Sequence, residues 1–187
     1  MNISPRNLIP PIILIVGLCL TALSISVNTG FAQQAVFPNN DEGSESRIYS
    51  RKLSPKFPEN IQKWKPLIES AASETGLDPD LIAAVMLQES GGDPQAYSIS
   101  GAVGLMQVMP KDGIASEFMC GNAPCFMNRP TIDDLLDPAF NIRYGSSYLS
   151  GLIGKKGTER EALFSYGPMD MDYGYADIVL AIYKNYR

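Results

Sequence analysis

The chain has 187 residues, with 15 Lys and Arg against 20 Asp and Glu, and it contains no histidine. Without histidine, a Ser-His-Asp triad, a Cys-His pair and a His-held haem are all excluded, so acid–base work falls to carboxylates, tyrosines or lysines. The net charge of -5 argues against nucleic acid as a partner, because phosphate-binding surfaces are basic.

The chain opens on a short polar run with one positive charge, Arg6, and continues as an uncharged apolar run from about Ile9 to Val27, the pattern of a secretory signal. Gly30-Phe31-Ala32 places small residues at the positions a signal peptidase inspects, so residues 1–32 are expected to be a cleaved signal. Uncleaved, the same run is close to the ~20 residues that span a bilayer and would tether the protein to a membrane. Either way the rest of the chain is expected to be exported, to a periplasm, a cell envelope or the extracellular space. Lipid attachment at Cys19 is not expected, because Leu18 stands where a small residue is needed. In an oxidising compartment Cys120 and Cys125, enclosing only Gly-Asn-Ala-Pro, are expected to form a local disulfide. A structural zinc site wants four ligands, and this chain has no histidine and no further cysteine pair to supply them.

Residues 33–59 carry prolines and polar residues without an apolar period and read as a flexible arm; residues 60–187 read as one folded domain. A first helix is expected from Ile61 to about Thr75, with Trp64, Leu67, Ile68 and Ala71 on one side and Gly76 as its stop. Asp78-Pro79 then has the form of a cap and first turn, opening a helix through Leu81, Ile82, Val85 and Met86 that Gly91-Gly92 closes. Asp137-Pro138 repeats the device before a helix whose inward stripe is expected to be Phe140, Tyr144, Tyr148, Leu152 and Ile153. Thr158 with Glu161 resembles a capping box, and a last helix from about Tyr173 sets Ile178, Val179, Ile182 and Tyr183 at helical spacing. Strand alternation is scarce, so the expected class is a mainly α, single helical domain.

Glu89 stands out in this pattern, because it follows Ile82, Val85 and Met86 at helical steps and so shares their apolar face. Lost hydration and the negative end of the helix both favour its protonated form, which is what a general acid needs. The alternative from the helix alone is a structural ion pair with an arginine, or a cap on backbone donors.

The segment "ESGGDPQAYSISGAVGLMQVMP" closely resembles the catalytic motifs of the lytic transglycosylases of the soluble type, which have the lysozyme-like fold. Glu89-Ser90, Ser100-Gly101-Ala102, Gly104-Leu105-Met106-Gln107 and Met109-Pro110 stand in the family's order, and the likeness extends more weakly from about Trp64 to Tyr186. "NIRYGSSYLSGLI", from Asn141 to Ile153, is similar to a helix of the family in which an Asn, a Gly and a Tyr-Leu recur. Where the family usually has Ala-Tyr-Asn, this chain has Ser165-Tyr166-Gly167, keeping the tyrosine and losing the asparagine.

The resemblance implies a peptidoglycan lytic transglycosylase: Glu89 protonates the oxygen between N-acetylmuramic acid and N-acetylglucosamine, then takes the C6 hydroxyl proton as a 1,6-anhydro ring closes. A single carboxyl suffices for this, whereas ordinary glycoside hydrolysis uses two. Asp93 and Asp112 read better as caps or solvated loop residues. By the same resemblance Ser90 positions the acetamido group, Gln107 donates to substrate, Tyr166 orients the carboxyl, and Gly101 and Gly104 admit the glycan close to the backbone. Met106 and Met109 fit either the groove or, more commonly, the core; Tyr97 and Tyr148 are candidate stacking platforms, with core packing the default expectation for Tyr148. The implied partner is the glycan strand, with cell-envelope machinery as a further partner of such enzymes. No phosphate loop, dinucleotide glycine pattern or ligand cluster implies a cofactor or a metal. The rival readings are a goose-type lysozyme-like hydrolase and a peptidoglycan-binding module without catalysis.

Overall fold

The computed structural model describes residues 52–187; the expected signal, residues 1–32, and the arm up to residue 51 lie outside the described residues. The described part is a helical domain with one short hairpin. In chain order it comprises α1 (Glu59–Gln62), α2 (Lys65–Thr75), α3 (Pro79–Ser90), β1 (Met119–Cys120), β2 (Ala123–Pro124), α4 (Ile132–Leu136), α5 (Pro138–Lys156), α6 (Glu159–Tyr166) and α7 (Gly174–Tyr186). Short 3-10 turns at Gly113–Glu117 and Met169–Met171 complete it. The strands pair antiparallel, Met119 opposite Pro124 and Cys120 opposite Ala123, and the disulfide between Cys120 and Cys125 closes this hairpin.

The helix boundaries follow local chemistry. Asp78 caps α3 by accepting the Asp80 N–H at 3.0 Å, and Asp137 caps α5 by accepting from Phe140 at 2.7 Å. Gly76, Gly91 and Gly157 end α2, α3 and α5 in the left-handed conformation. The first expected helix is two, α1 and α2, meeting at Trp64, because Pro66 fits the first turn of a helix and not its interior. Helix α4 was not foreseen from the sequence, although Thr131 and Asp134 form a reciprocal capping box there. At Thr158 only half of such a box forms: Thr158 accepts the Glu161 N–H at 3.2 Å, while the Glu161 carboxylate takes the Tyr173 hydroxyl at 2.7 Å.

Helix α3 is the centre of the domain. Leu81 to Met86 are all buried, so this helix is enclosed on every side, with α2 and α7 packed against it. Helix α5 packs on α2, α4 and α6, and α6 on α7. The buried face of α5 is Asn141, Ile142, Gly145, Ser146 and Leu149, while the expected stripe of Phe140, Tyr144, Tyr148, Leu152 and Ile153 is half-buried along its flank. Gly145 interrupts this face where α5 approaches a loop closely: a Cβ there would lie 2.6 Å from the Met106 Cβ.

The folded domain begins before residue 60. Leu53 and Phe57, assigned to the flexible arm, are 1% and 3% exposed. The backbone N–H groups of Leu53 and Ser54 donate to Glu69 and to the buried Asp80, and Phe57 stacks on Tyr186 at 4.8 Å. The arm lacks an apolar period because it lies along helices without forming one, so isolated large residues do the anchoring.

Candidate active site

Glu89 sits in the last turn of α3, half-buried, where the helix stops at Gly91. The turn is pinned from outside. The Trp64 indole donates to the Gly92 carbonyl at 3.0 Å and the Asn60 amide donates to the Gly91 carbonyl. Gly92 has φ +83, and a Cβ there would lie 2.2 Å from the Asn60 carbonyl oxygen, so no other residue fits.

Among the described residues, one partner touches the carboxyl. The Tyr175 hydroxyl, from the first turn of α7, donates to Glu89 Oε1 at 2.5 Å. Burial pushes the Glu89 carboxyl up to about 7, and the Tyr175 hydrogen bond opposes that rise by favouring the ionised form. Burial and the neighbouring Glu89 hold the Tyr175 and Tyr166 phenols well above their ordinary value, so both remain protonated donors. The carboxyl is thus divided between acid and base forms near neutrality, as a group that must give and then take a proton requires.

Across from this lies the loop of residues 96–108. Val103 and Val108 exchange backbone hydrogen bonds at 3.0 and 3.1 Å, and the Gly104 N–H donates to Ala96 at 2.8 Å. Asn141 of α5 clamps the loop: its Oδ1 accepts the Met106 N–H at 2.8 Å, and its Nδ2 donates to Val103 and Leu135, each at 2.9 Å. Gly104, at φ +75, is required for this packing, because a Cβ would meet Asn141 Nδ2 at 2.3 Å.

The predicted residues gather at this place, but several face the protein. The Ser90 hydroxyl donates to the Leu105 carbonyl at 2.8 Å and accepts from the Gly92 N–H, joining the end of α3 to the loop; its one proton is therefore committed. Gln107, in the left-handed region at φ +44, donates from Nε2 to Ala96 at 3.1 Å and to Gly104 at 3.0 Å, so both amide protons close the loop and neither remains for substrate. Met106 is fully buried and belongs to the core; Gly104 faces Asn141 in place of a glycan. Tyr166 does not bond Glu89: its hydroxyl donates to the Met106 carbonyl at 2.8 Å. Asp93 accepts from the Gln95 N–H and Asp112 from the Ile132 N–H, so both are turn and cap residues. Tyr97 is exposed and Tyr148 half-buried. Cys120 and Cys125 form their disulfide in an exposed hairpin.

The tyrosine that does touch Glu89 was missed. Tyr175 lies four residues before Val179, so running the inward spacing of the last helix back one turn places it on the buried face. The tertiary structure also accounts for Gly167. A Cβ at this position would stand 2.4 Å from the Tyr175 ring, so the asparagine that the family usually has there would displace the residue that bonds the Glu89 carboxyl.

A helical domain that holds one half-buried glutamate at a helix end, against a glycine-bearing loop and a tyrosine, is the lysozyme-like class of architecture. The transglycosylase SLT domain family matches residues 66–168, and the chain belongs to that family. It is 34% identical over 140 residues to membrane-bound lytic murein transglycosylase E of Buchnera aphidicola subsp. Acyrthosiphon pisum, a match that covers 75% of this chain and 60% of that protein. With endo-type membrane-bound lytic murein transglycosylase A of Klebsiella pneumoniae it shares 37% identity over 98 residues, 52% of this chain and 47% of that protein. The chain therefore matches about half to three fifths of the length of these relatives. Among solved structures, an inactive Glu→Gln mutant of lytic transglycosylase Slt from Pseudomonas aeruginosa superimposes with a TM-score of 0.50 at 26% identity, over 65% of this chain and 23% of that one.

Proposed function

We propose that the chain is a peptidoglycan lytic transglycosylase acting in the cell envelope, with Glu89 as its acid and then its base. The observation that carries this reading is the Glu89 carboxyl, raised to about 7 by burial and held by the Tyr175 hydroxyl at the end of α3. In its protonated form Glu89 gives its proton to the oxygen that joins N-acetylmuramic acid to N-acetylglucosamine, and the C1–O bond breaks. The muramic acetamido oxygen stabilises the positive charge at C1. Glu89, now a carboxylate, removes the proton of the C6 hydroxyl while that oxygen bonds to C1. The products are a 1,6-anhydromuramyl end and a free C4 hydroxyl; the glutamate is protonated again and no water is consumed.

Tyr175 holds one carboxyl oxygen throughout and stabilises the ionised form between the two proton transfers. Ser90, Gln107, Gly104, Met106 and Tyr166 act one step back, by fixing the loop and the rings around the carboxyl. The reading draws support from the relatives' names and from the solved relative, which is inactive as a Glu→Gln mutant. The relatives' description as membrane-bound accords with an exported protein, tethered or released through its first 32 residues.

The test is mass spectrometry of the muropeptides that the chain releases from purified sacculi, beside Glu89→Gln. Anhydromuramyl ends from the parent, with at least about a 1,000-fold lower rate for the variant, are the expected result. Reducing ends alone would make it a lysozyme, and binding of sacculi without release would make it a binding module.

A further inference from the structure

From Glu89 a run of rings leads outward. Tyr175 stacks on Tyr166 at 6.5 Å between centroids, Tyr166 lies 5.6 Å from Tyr148, and the Arg129 guanidinium sits over Tyr148 at 4.0 Å. Arg129 also lies 6.0 Å from the Tyr144 ring, and its charge reaches the Tyr166 phenol. The backbone that presents it is fixed: the Arg129 N–H donates to Phe126 at 2.9 Å, and the next carbonyl, Pro130, accepts from Lys111 at 2.9 Å. Yet no hydrogen bond or ion pair joins its side chain to any described residue.

A second arginine shows what such a group can do. Arg160 stacks on Tyr173 at 4.1 Å, and the edge of its guanidinium takes both oxygens of Asp177, at 2.7 and 3.0 Å. Stacking uses the face of the guanidinium and leaves the in-plane N–H donors free for a bidentate carboxylate. Arg129 has the same seat on a tyrosine and, among the described residues, lacks the carboxylate.

We propose that Arg129 is an anion subsite that receives a carboxylate of the peptide carried by the glycan strand. The sugars of that strand are uncharged where their lactyl groups are amide-linked, so the carboxylates a strand can offer to a cation are those of the attached peptides. Tyr148 holds the guanidinium in place and Arg129 supplies the charge, so the subsite distinguishes strands by peptide charge and takes no part in bond cleavage. This inference rests on the peptidoglycan reading above.

The experiment measures binding of full-chain Glu89→Gln protein, which keeps substrate intact, to peptide-bearing glycan strands and to the same strands with their carboxylates converted to methylamides. Adding Arg129→Ala is expected to weaken binding to the charged strands about ten-fold and to leave binding to the methylamides unchanged. Arg129→Lys retains part of the difference, and Arg143→Ala, which removes a comparable stacked cation from Phe140, changes neither. Equal losses on both strands, which a merely structural role would produce, or no loss on either, would overturn the subsite, as would failure to bind either strand. Release of anhydromuramyl ends by the parent is scored separately. If ends form and Arg129→Ala makes no distinction, the subsite alone falls; if no ends form and the distinction holds, the lyase reading falls and the subsite stands.

Discussion

The loop of residues 96–108 and the tyrosines of α6 and α7 approach Glu89 with different chemistry. In the loop, hydrogen-bonding groups are turned inward: Gln107 bonds loop carbonyls, Ser90 bonds Leu105, and Asn141 reaches in to hold Met106 and Val103. On the tyrosine side the rings stack on one another and a single hydroxyl, that of Tyr175, reaches the carboxyl. The difference separates two tasks. Saturated hydrogen bonds fix where a surface lies, because every change leaves a partner unsatisfied, whereas a ring with one polar tip desolvates a carboxyl and still bonds it.

The largest effect should come from breaking the loop side. Asn141→Ala leaves the buried Met106 N–H and Leu135 carbonyl without their partner, and is expected to cost about 4 kcal/mol in denaturant unfolding. A loss under about 1 kcal/mol would mean that the loop holds itself.

The second prediction concerns the acid. Its folded pKa of about 7 lies above the ordinary 4.5, so between these values the folded state binds more protons than the unfolded. Stability from this group is complete below pH 4.5 and is lost as pH rises through 7, by about 3 kcal/mol in all. Glu89→Gln should remove that slope, so the variant should gain about 3 kcal/mol over the parent at pH 8 and little at pH 4. Thermal unfolding of both at the two pH values checks this, and equal differences at each would contradict the burial of the carboxyl.

Smaller effects belong to the tyrosine side. Gly167→Ala pushes a methyl into the Tyr175 ring and should destabilise by about 2 kcal/mol while moving the hydroxyl off Glu89. Tyr175→Phe keeps the ring and removes the bond that favours the ionised acid. The Glu89 pKa then rises, so the alkaline limb of the rate profile should shift to higher pH, with the rate below that limb lowered about five-fold. A limb that stays in place would show that the hydroxyl does not act on the carboxyl. The same two measurements on Gly167→Ala should give the same direction of shift, which ties the glycine to the tyrosine.

The sequence by itself determined the helical class, the starts at Asp78 and Asp137, the stops at Gly76 and Gly91, and Glu89 as the candidate acid. Each of these is local: a cap needs its own next three residues, a left-handed stop needs a glycine, and an apolar face repeats within one helix. The ordered Glu89 to Pro110 segment also carried the family. The tertiary structure decided the rest, because the rest consists of contacts between distant segments. Tyr175 meets Glu89 across 86 positions of sequence, and Tyr166 meets Met106 across 60, so no periodicity could choose between the two tyrosines. Ser90 and Gln107 have the chemistry of substrate contacts, and only the folded loop shows their protons already committed. Gly167 reads as a missing asparagine until the Tyr175 ring is seen in the space its side chain would need.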